Sequence, residues 1–327
     1  MNILMASDEN YVFLLEISLY SILDTNKKQE NINIYIIADD ISKDSQEKIY
    51  GLAEKYNRKI YFIKPPALSS QIVVKGTLNT STYYRLKMAS ILPDSVEKVL
   101  YLDCDTLIRG DLSELWNVDI EESLLAGVTD TTGKQARSSI GLSTESHYVN
   151  AGVLLVNLKR WREEKIEQGM FDYLASQKYN VEFNDQGVIN HICSKKTHLV
   201  GPEYNFMMPY ERYSRRQLLR ITQRKKFYED EQIELAKNSP KIIHFAGYAF
   251  NRPWFYGAKG KYVNEFLLKM DEGGFETKLK EQPQNYKFRM RKFAESMPDE
   301  LCISANQVID FMYRVSVKLE NLRSKFC

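Results

Sequence analysis

The chain has 327 residues, 43% of them apolar or aromatic, with 45 Lys and Arg against 43 Asp and Glu. That length supports one large or two modest domains around a real core, and the near-neutral balance excludes a protein built to neutralise nucleic-acid phosphates. Cys104, Cys193, Cys302 and Cys327 are scattered without metal or disulfide spacing, which suits a reducing, cytoplasmic setting.

The opening "MNILMASDEN" lacks a basic flank and reads as a first strand, not a signal peptide. After "NILMA" (2–6), Val12, Leu15, Leu19, Ile22 and Leu23 line one face of a helix. "NINIYIIAD" (31–39) is a strand apolar enough to be buried on both faces. Ser42 is placed to cap a second helix that turns Ile49, Leu52, Ala53 and Tyr56 inward. "KIYFIKPP" (59–66) is a third strand stopped by two prolines, "STYYRLKMASILP" (81–93) a helix, and "EKVLYLDCD" (97–105) a fourth strand. This alternation predicts a doubly wound, mostly parallel α/β sheet, whose ligands bind beyond the carboxyl ends of the strands. Further on come "LLAGVTD" (124–130), "YVNAGVLLVNLKRW" (148–161), a helix holding "DQGVINHIC" (185–193), and "PKIIHFAG" (240–247). No apolar run approaches the ~20 residues of a membrane span.

Asp103 and Asp105 stand at the end of the fourth strand, one residue apart, where two carboxylates can face one cation. Left to themselves they repel, so a bare polar strand end is the weaker explanation. An apolar strand followed by D-x-D, with Thr106 next in the chain, also resembles the nucleophile motif of dehalogenase-like phosphatases, with Asp103 attacking phosphorus. No later acidic cluster after an apolar strand completes that site.

Taken in order, "LMASDENY", "TYYRLK", "VLYLDCD", "VNAGVLLVNLKRW", "NDQGVIN" and "IIHFAG" resemble the retaining glycosyltransferases of family eight, over residues 1 to about 260. The resemblance implies a GT-A type fold that transfers a hexose, glucose or galactose, from a UDP-sugar to a glycan or lipid-linked acceptor. By the same resemblance Asp103, Asp105 and His244 hold Mn2+ or Mg2+, the histidine favouring manganese. Ala6, Asp8, Asn10 and Tyr11 in the first loop, Arg85, Cys104, Asn150, Ala151, Gly247 and Arg252 are implied to line the donor. Asp130, Asp185 and Gln186 are implied to act near the anomeric carbon. The family's H-x-x-G-x-x-K-P-W is here "HFAGYAFNRPW", two residues longer and with Arg252 for lysine. A sugar-nucleotide-binding module without turnover is the third reading.

The expected organisation is a catalytic domain over residues 1–272 and a helical tail over 273–327. In 304–326 Val308, Phe311, Met312, Val315, Leu319 and Leu322 share a face, with Arg314, Lys318, Arg323 and Lys325 elsewhere, and "YKFRMRKF" (286–293) mixes aromatic and basic residues. Such a tail suits peripheral contact with anionic lipid at the inner membrane face. Packing on the catalytic domain, or on another copy in an oligomer, is the competing reading. The segment 211–226, with seven basic residues, reads as an acceptor lid or a solvated helix.

Overall fold

The computed structural model describes residues 1–74, 80–247, 251–276 and 279–323, with side chains through residue 312. Nine strands are described: β1 Asn2–Asp8, β2 Asn33–Asp39, β3 Lys59–Ile63, β4 Lys98–Leu102, β5 Thr106–Ile108, β6 Leu125–Thr129, β7 Val149–Asn157, β8 Thr197–Leu199 and β9 Ile242–His244. Seven form one sheet in the order β3-β2-β1-β4-β7-β6-β8, and β5 pairs with β9 in a second, two-stranded sheet. In the large sheet β1, β2, β3 and β4 run parallel, as does β8 with β6, so the sheet is mostly parallel as its sequence pattern requires. Strand β7 is antiparallel to both β4 and β6. Eight of its nine residues are buried, so its apolar run does not reveal its direction.

Ser42 caps the helix Lys43–Lys55 as expected, accepting from the Ser45 N–H, and Ile49, Leu52 and Ala53 face inward. The helix Val12–Thr25 differs from its single predicted face, because Phe13, Leu14, Ile17, Ser18 and Ser21 are buried as well. The small sheet covers that other side. Ser18 Oγ lies 3.0 Å from Thr106 Oγ1, and the Ile108 N–H donates to Ser21 Oγ at 2.9 Å. Two serines mid-helix therefore serve as partners for a strand edge. The helix expected over 81–93 is instead a 3₁₀ segment, Thr80–Lys87, followed by the short helix Met88–Ile91. The tighter winding stacks Thr82 over Arg85, whose Nε donates to Thr82 O at 3.1 Å.

By internal contacts the chain divides into Met1–Ala246 with Asn264–Thr277, and Gly247–Val263 with Lys278–Cys327. The first unit holds both sheets. In the second, the Lys280 N–H donates to Trp254 O at 2.7 Å and the Tyr256 N–H to Lys280 O at 3.0 Å, which ties 251–263 to the chain that leads into the C-terminal helices. Those helices are Tyr286–Glu295 and Asp299–Arg323, with Ala294, Cys302, Ile303 and Ile309 buried. Val308, Phe311 and Met312, predicted to form one apolar face, are more than half exposed. The side chains of their predicted companions Val315, Leu319 and Leu322, and those of Arg314, Lys318, Arg323 and Lys325, lie outside those described.

Candidate active site

The two sheets meet at Asp103 and Asp105. Strand β4 ends at Leu102, the next turn carries both carboxylates, and β5 begins at Thr106 directly opposite His244 on β9. A histidine far along the chain thus arrives beside the acidic pair by strand register. The Asp103, Asp105 and His244 ligand atoms lie within 4.8 Å of one another. His244 Nε2 stands 3.2 Å from Asp105 Oδ1 and 3.9 Å from Asp103 Oδ2.

A chain of hydrogen bonds fixes which histidine nitrogen carries its proton. The Gly152 N–H donates to Asn150 Oδ1 at 3.0 Å, which identifies that atom as the amide oxygen. Asn205 Nδ2 donates to the same oxygen at 3.0 Å, so Asn205 presents its own Oδ1 to His244 Nδ1 at 2.9 Å. Nδ1 therefore donates, and the Nε2 lone pair of the neutral ring points at two carboxylates. Three electron-pair donors converging on one point need a proton or a cation between them. One imidazole and two carboxylates suit Mn2+ or Mg2+, the nitrogen favouring Mn2+, so the residues present fit a metal. Asn205, fully buried, was not singled out in the sequence, because nothing in "GPEYNF" marks it. Asn205→Leu is expected to weaken Mn2+ binding by about ten- to a hundredfold, the usual effect of losing a partner behind a ligand. Asn205→Asp, which keeps an acceptor for Nδ1, should recover part of it. Calorimetric titration with Mn2+ checks both.

The "NAG" residues 150–152 lie within strand β7 and form no turn, and Gly152 there is essential to the site. Its carbonyl accepts from the Asp103 N–H at 2.8 Å, and a Cβ there would stand 2.2 Å from His244 Cε1 and 2.8 Å from Asp103 Oδ2. Only glycine leaves room for the triad.

Arg85 is buried beneath this group and bridges it to the second acidic residue. Its Nη2 lies 2.9 Å from Asp103 Oδ1, its Nε 3.0 Å from Asp185 Oδ2, and its Nη1 donates to Ala151 O at 2.5 Å. Burial opposes its charge, but Asp103, the Tyr101 ring 4.4 Å away, and Asp185 raise its pKa well above the usual value. For Asp185 burial wins: its carboxyl is pushed up to about 6, with Arg85 pulling the other way. Tyr101 OH donates to Asp103 Oδ1 at 2.9 Å, so that oxygen has two partners.

Asp130, Asn150, Ala151 and Gln186 come together as a second cluster. Gln186 Oε1 accepts from the Ala151 N–H at 3.0 Å and from Asn150 Nδ2 at 3.3 Å, while its Nε2 donates to Tyr148 OH at 3.2 Å and Asp130 Oδ2 at 3.4 Å. Its amide is thereby fixed as an oriented dipole. The backbone before it is strained, with Phe183 and Asn184 at φ of 61° and 53°. A Cβ at Gly187 would meet Glu182 O at 2.0 Å, so the glycine of "DQG" lets the helix start close against that turn. Such strain just ahead of two polar residues marks a site built for something other than stability.

In the first loop Asp8 ends β1 and its Oδ1 accepts from the Tyr11 N–H at 3.0 Å, leaving Asn10 and Tyr11 exposed. Cys104 points inward, its Sγ donating to Ala6 O at 3.1 Å, and joins the acidic turn to β1. Gly247, at φ 119°, and Arg252, whose Cζ lies 5.6 Å from the Trp254 ring centre, fall in the second unit. Of the four residues between them, 248–250 lie outside those described.

The model for glycosyl transferase family 8 matches residues 2–258. The chain belongs to that family. This family 8 chain is 35% identical over 212 residues to a putative glycosyltransferase of Haemophilus influenzae, an alignment spanning 63% of each chain. It is 30% identical over 211 residues to a lipopolysaccharide 1,2-glucosyltransferase of Escherichia coli, spanning 62% of each. It thus matches slightly less than two thirds of either relative's length. Among solved structures, the galactosyltransferase LgtC in complex with donor and acceptor sugar analogues superposes with a TM-score of 0.70 at 24% identity, over 83% of this chain and 96% of LgtC. That likeness establishes the GT-A type fold.

Proposed function

We propose that this family 8 enzyme is a metal-dependent, retaining hexosyltransferase using a UDP-sugar, glucose or galactose, and passing the hexose to a glycan or lipid-linked acceptor. The observation that carries the reading is the convergence of Asp103, Asp105 and His244 beside the rigid Gln186–Asp130 cluster. The catalytic part is taken to extend to about residue 272, in the cytoplasm. Family membership and a relative named as a lipopolysaccharide glucosyltransferase support the donor class.

Asp103, Asp105 and His244 would hold a divalent ion, which would supply positive charge to offset that on a departing diphosphate. Arg85 holds Asp103 and Asp185 in fixed orientation from beneath. Gln186, its amide immobilised on both ends, presents a preorganised dipole to the sugar as positive charge grows at the anomeric carbon. Asp130 faces the hydroxyls as an acceptor, held in place by Asn150, whose Nδ2 donates to its Oδ2 at 3.0 Å. No carboxylate is assigned as nucleophile, so retention follows from attack on the same face that the diphosphate leaves.

Incubation with a panel of UDP-hexoses and Mn2+ is expected to release UDP slowly, with water in place of the acceptor, fastest for the true donor. Phosphate release from simple phosphomonoesters would instead return Asp103 to the role of a phosphatase nucleophile. Its carboxylate is poorly placed for that, since Oδ1 is shared by Tyr101 and Arg85 and Oδ2 faces His244. Binding without turnover of either substrate would support a sugar-nucleotide-binding module.

No described helix is long and apolar enough to cross a membrane. The C-terminal helices are read as a peripheral contact, since Tyr286, Phe293, Leu301, Val308, Phe311 and Met312 are exposed among Lys287, Arg289 and Lys292. The double substitution Phe293→Ser with Phe311→Ser is expected to weaken sedimentation with phosphatidylglycerol vesicles about tenfold or more. An aromatic side chain contributes ~1.5–3 kcal/mol when buried, and exposed positions can be changed with little effect on stability. UDP release should be unaltered. Equal vesicle binding by both proteins would favour the oligomer or packing reading.

A further inference from the structure

Two guanidinium groups next to Asp130 have donors that nothing satisfies. Arg137 is 0% exposed, and its Nη2 donates to Thr222 O at 2.8 Å and its Nη1 to Thr132 O, but its Nε has no partner. Arg224 lies two residues beyond Thr222, and its buried Nε and Nη2 are both without partners. Those two atoms form the side-on edge of the guanidinium, the fork that grips two oxygens of an oxyanion. Among the described residues no ion pair engages either arginine. Burial lowers both pKa values, that of Arg137 to about 10, with Arg224 adding to the effect on Arg137. A folded chain rarely leaves a buried charge unpaired in this way unless something else completes the site.

The pair is tied to the proposed sugar site, and its neighbours along the chain line a surface recess. Thr132, whose carbonyl receives Arg137, donates its own N–H to Asp130 Oδ1 at 2.8 Å. On the outer side, a surface recess of about 790 Å³ is lined by Lys134, Ser143, Thr144, Glu145, Gln223 and Lys225. Lys134 stands on the helix of Arg137, and Gln223 and Lys225 flank Arg224. Asp130 and Glu145 act on both guanidinium groups, and Lys134 and Lys225 add positive charge at the recess beside Glu145. Two buried guanidinium groups suit a phosphate monoester, with its charge of about −2 and three acceptor oxygens, better than a singly charged carboxylate or a neutral glycan.

We propose that Arg137 and Arg224 form an anion subsite for the acceptor, which binds a phosphate monoester carried by the glycan and so brings the glycan's hydroxyl to the Asp130–Gln186 cluster. The proposal rests on the glycosyltransferase reading. It also gives the arginine-rich segment a role: its helix Arg215–Thr222, capped by Ser214, carries Arg224 just past its end.

The test uses the full chain saturated with UDP and Mn2+, so that the donor's own phosphate positions are filled. Inorganic phosphate at ten times its half-saturating concentration is expected to raise the thermal midpoint of the wild type by about 2 °C. Arg224→Met, relieved of a buried unpaired charge, should start from a higher midpoint and gain none. Arg224→Lys, charged but without the fork, should fall between. Equal gains in wild type and Arg224→Met would show a general salt effect and overturn the anion site, as would no gain in the wild type. A hexose glycoside and its 6-phosphate are then compared as acceptors, with kcat/KM expected to be at least tenfold higher for the phosphate. Equal values would overturn the acceptor assignment. If no UDP-hexose is turned over with either, the transferase reading fails, and the phosphate shift alone decides the anion site.

Discussion

Gly152→Ala is expected to weaken Mn2+ binding by about a hundredfold or more and to remove UDP-sugar turnover with it, although the residue carries no side chain and touches no ion. The added carbon would meet His244 Cε1 at 2.2 Å, His244 Nδ1 at 2.9 Å and Asp103 Oδ2 at 2.8 Å. None of these atoms can retreat cheaply. The imidazole is tied to Asn205, its backbone N–H donates to Phe206 O at 3.0 Å, and Asp103 is held by Arg85 and Tyr101. The strand itself should persist, because the Cβ meets only the site and β7 remains paired on both sides. Titration with Mn2+ followed by electron paramagnetic resonance, alongside circular dichroism, separates loss of the ion from loss of the fold. Wild-type affinity in this variant would mean that no ion sits where Gly152 faces.

His244→Ala and Asp105→Asn are expected to lower UDP release on the order of a thousandfold at saturating donor. Stabilisation of a leaving diphosphate by a metal is worth several kcal/mol, with a factor of ten for each ~1.4 kcal/mol. The two substitutions remove different ligand types, an imidazole nitrogen and a carboxylate oxygen, from the same point in space. They should therefore fail alike, and the double variant should lose little beyond either single one, as groups acting together do. Both positions face a ligand edge, so the folded state should survive. Additive losses in the double variant, or wild-type kinetics in either single one, would separate the two residues from a shared ion.

Much of this arrangement was legible in the chain, and the parts that were not share a cause. The strands β1 to β4, the Ser42 cap and the acidic pair at the end of β4 follow from local periodicity and strand chemistry. The meeting of His244 with that pair came from resemblance, and its physical basis is the pairing of Thr106 with His244 in a short second sheet that no local signal announces. Asn205 and Gly152 were missed because their roles exist only in space: one lies behind the imidazole, the other opposite Asp103. The 3₁₀ form of residues 80–87 likewise reflects Arg85 being drawn toward Asp103 and Asp185, a tertiary demand overriding a sequence that otherwise reads as α-helix. In the C-terminal helix the periodicity was real, but the buried face runs through Cys302, Ile303 and Ile309, and not through Val308, Phe311 and Met312.

The most direct test of the account is UDP release from UDP-glucose and UDP-galactose by the purified chain, measured after removal of metal with EDTA and again after Mn2+ is restored. Release from at least one of them is expected, stopping without metal and returning with Mn2+. Release that persists in EDTA, or none with either donor under Mn2+, would contradict it.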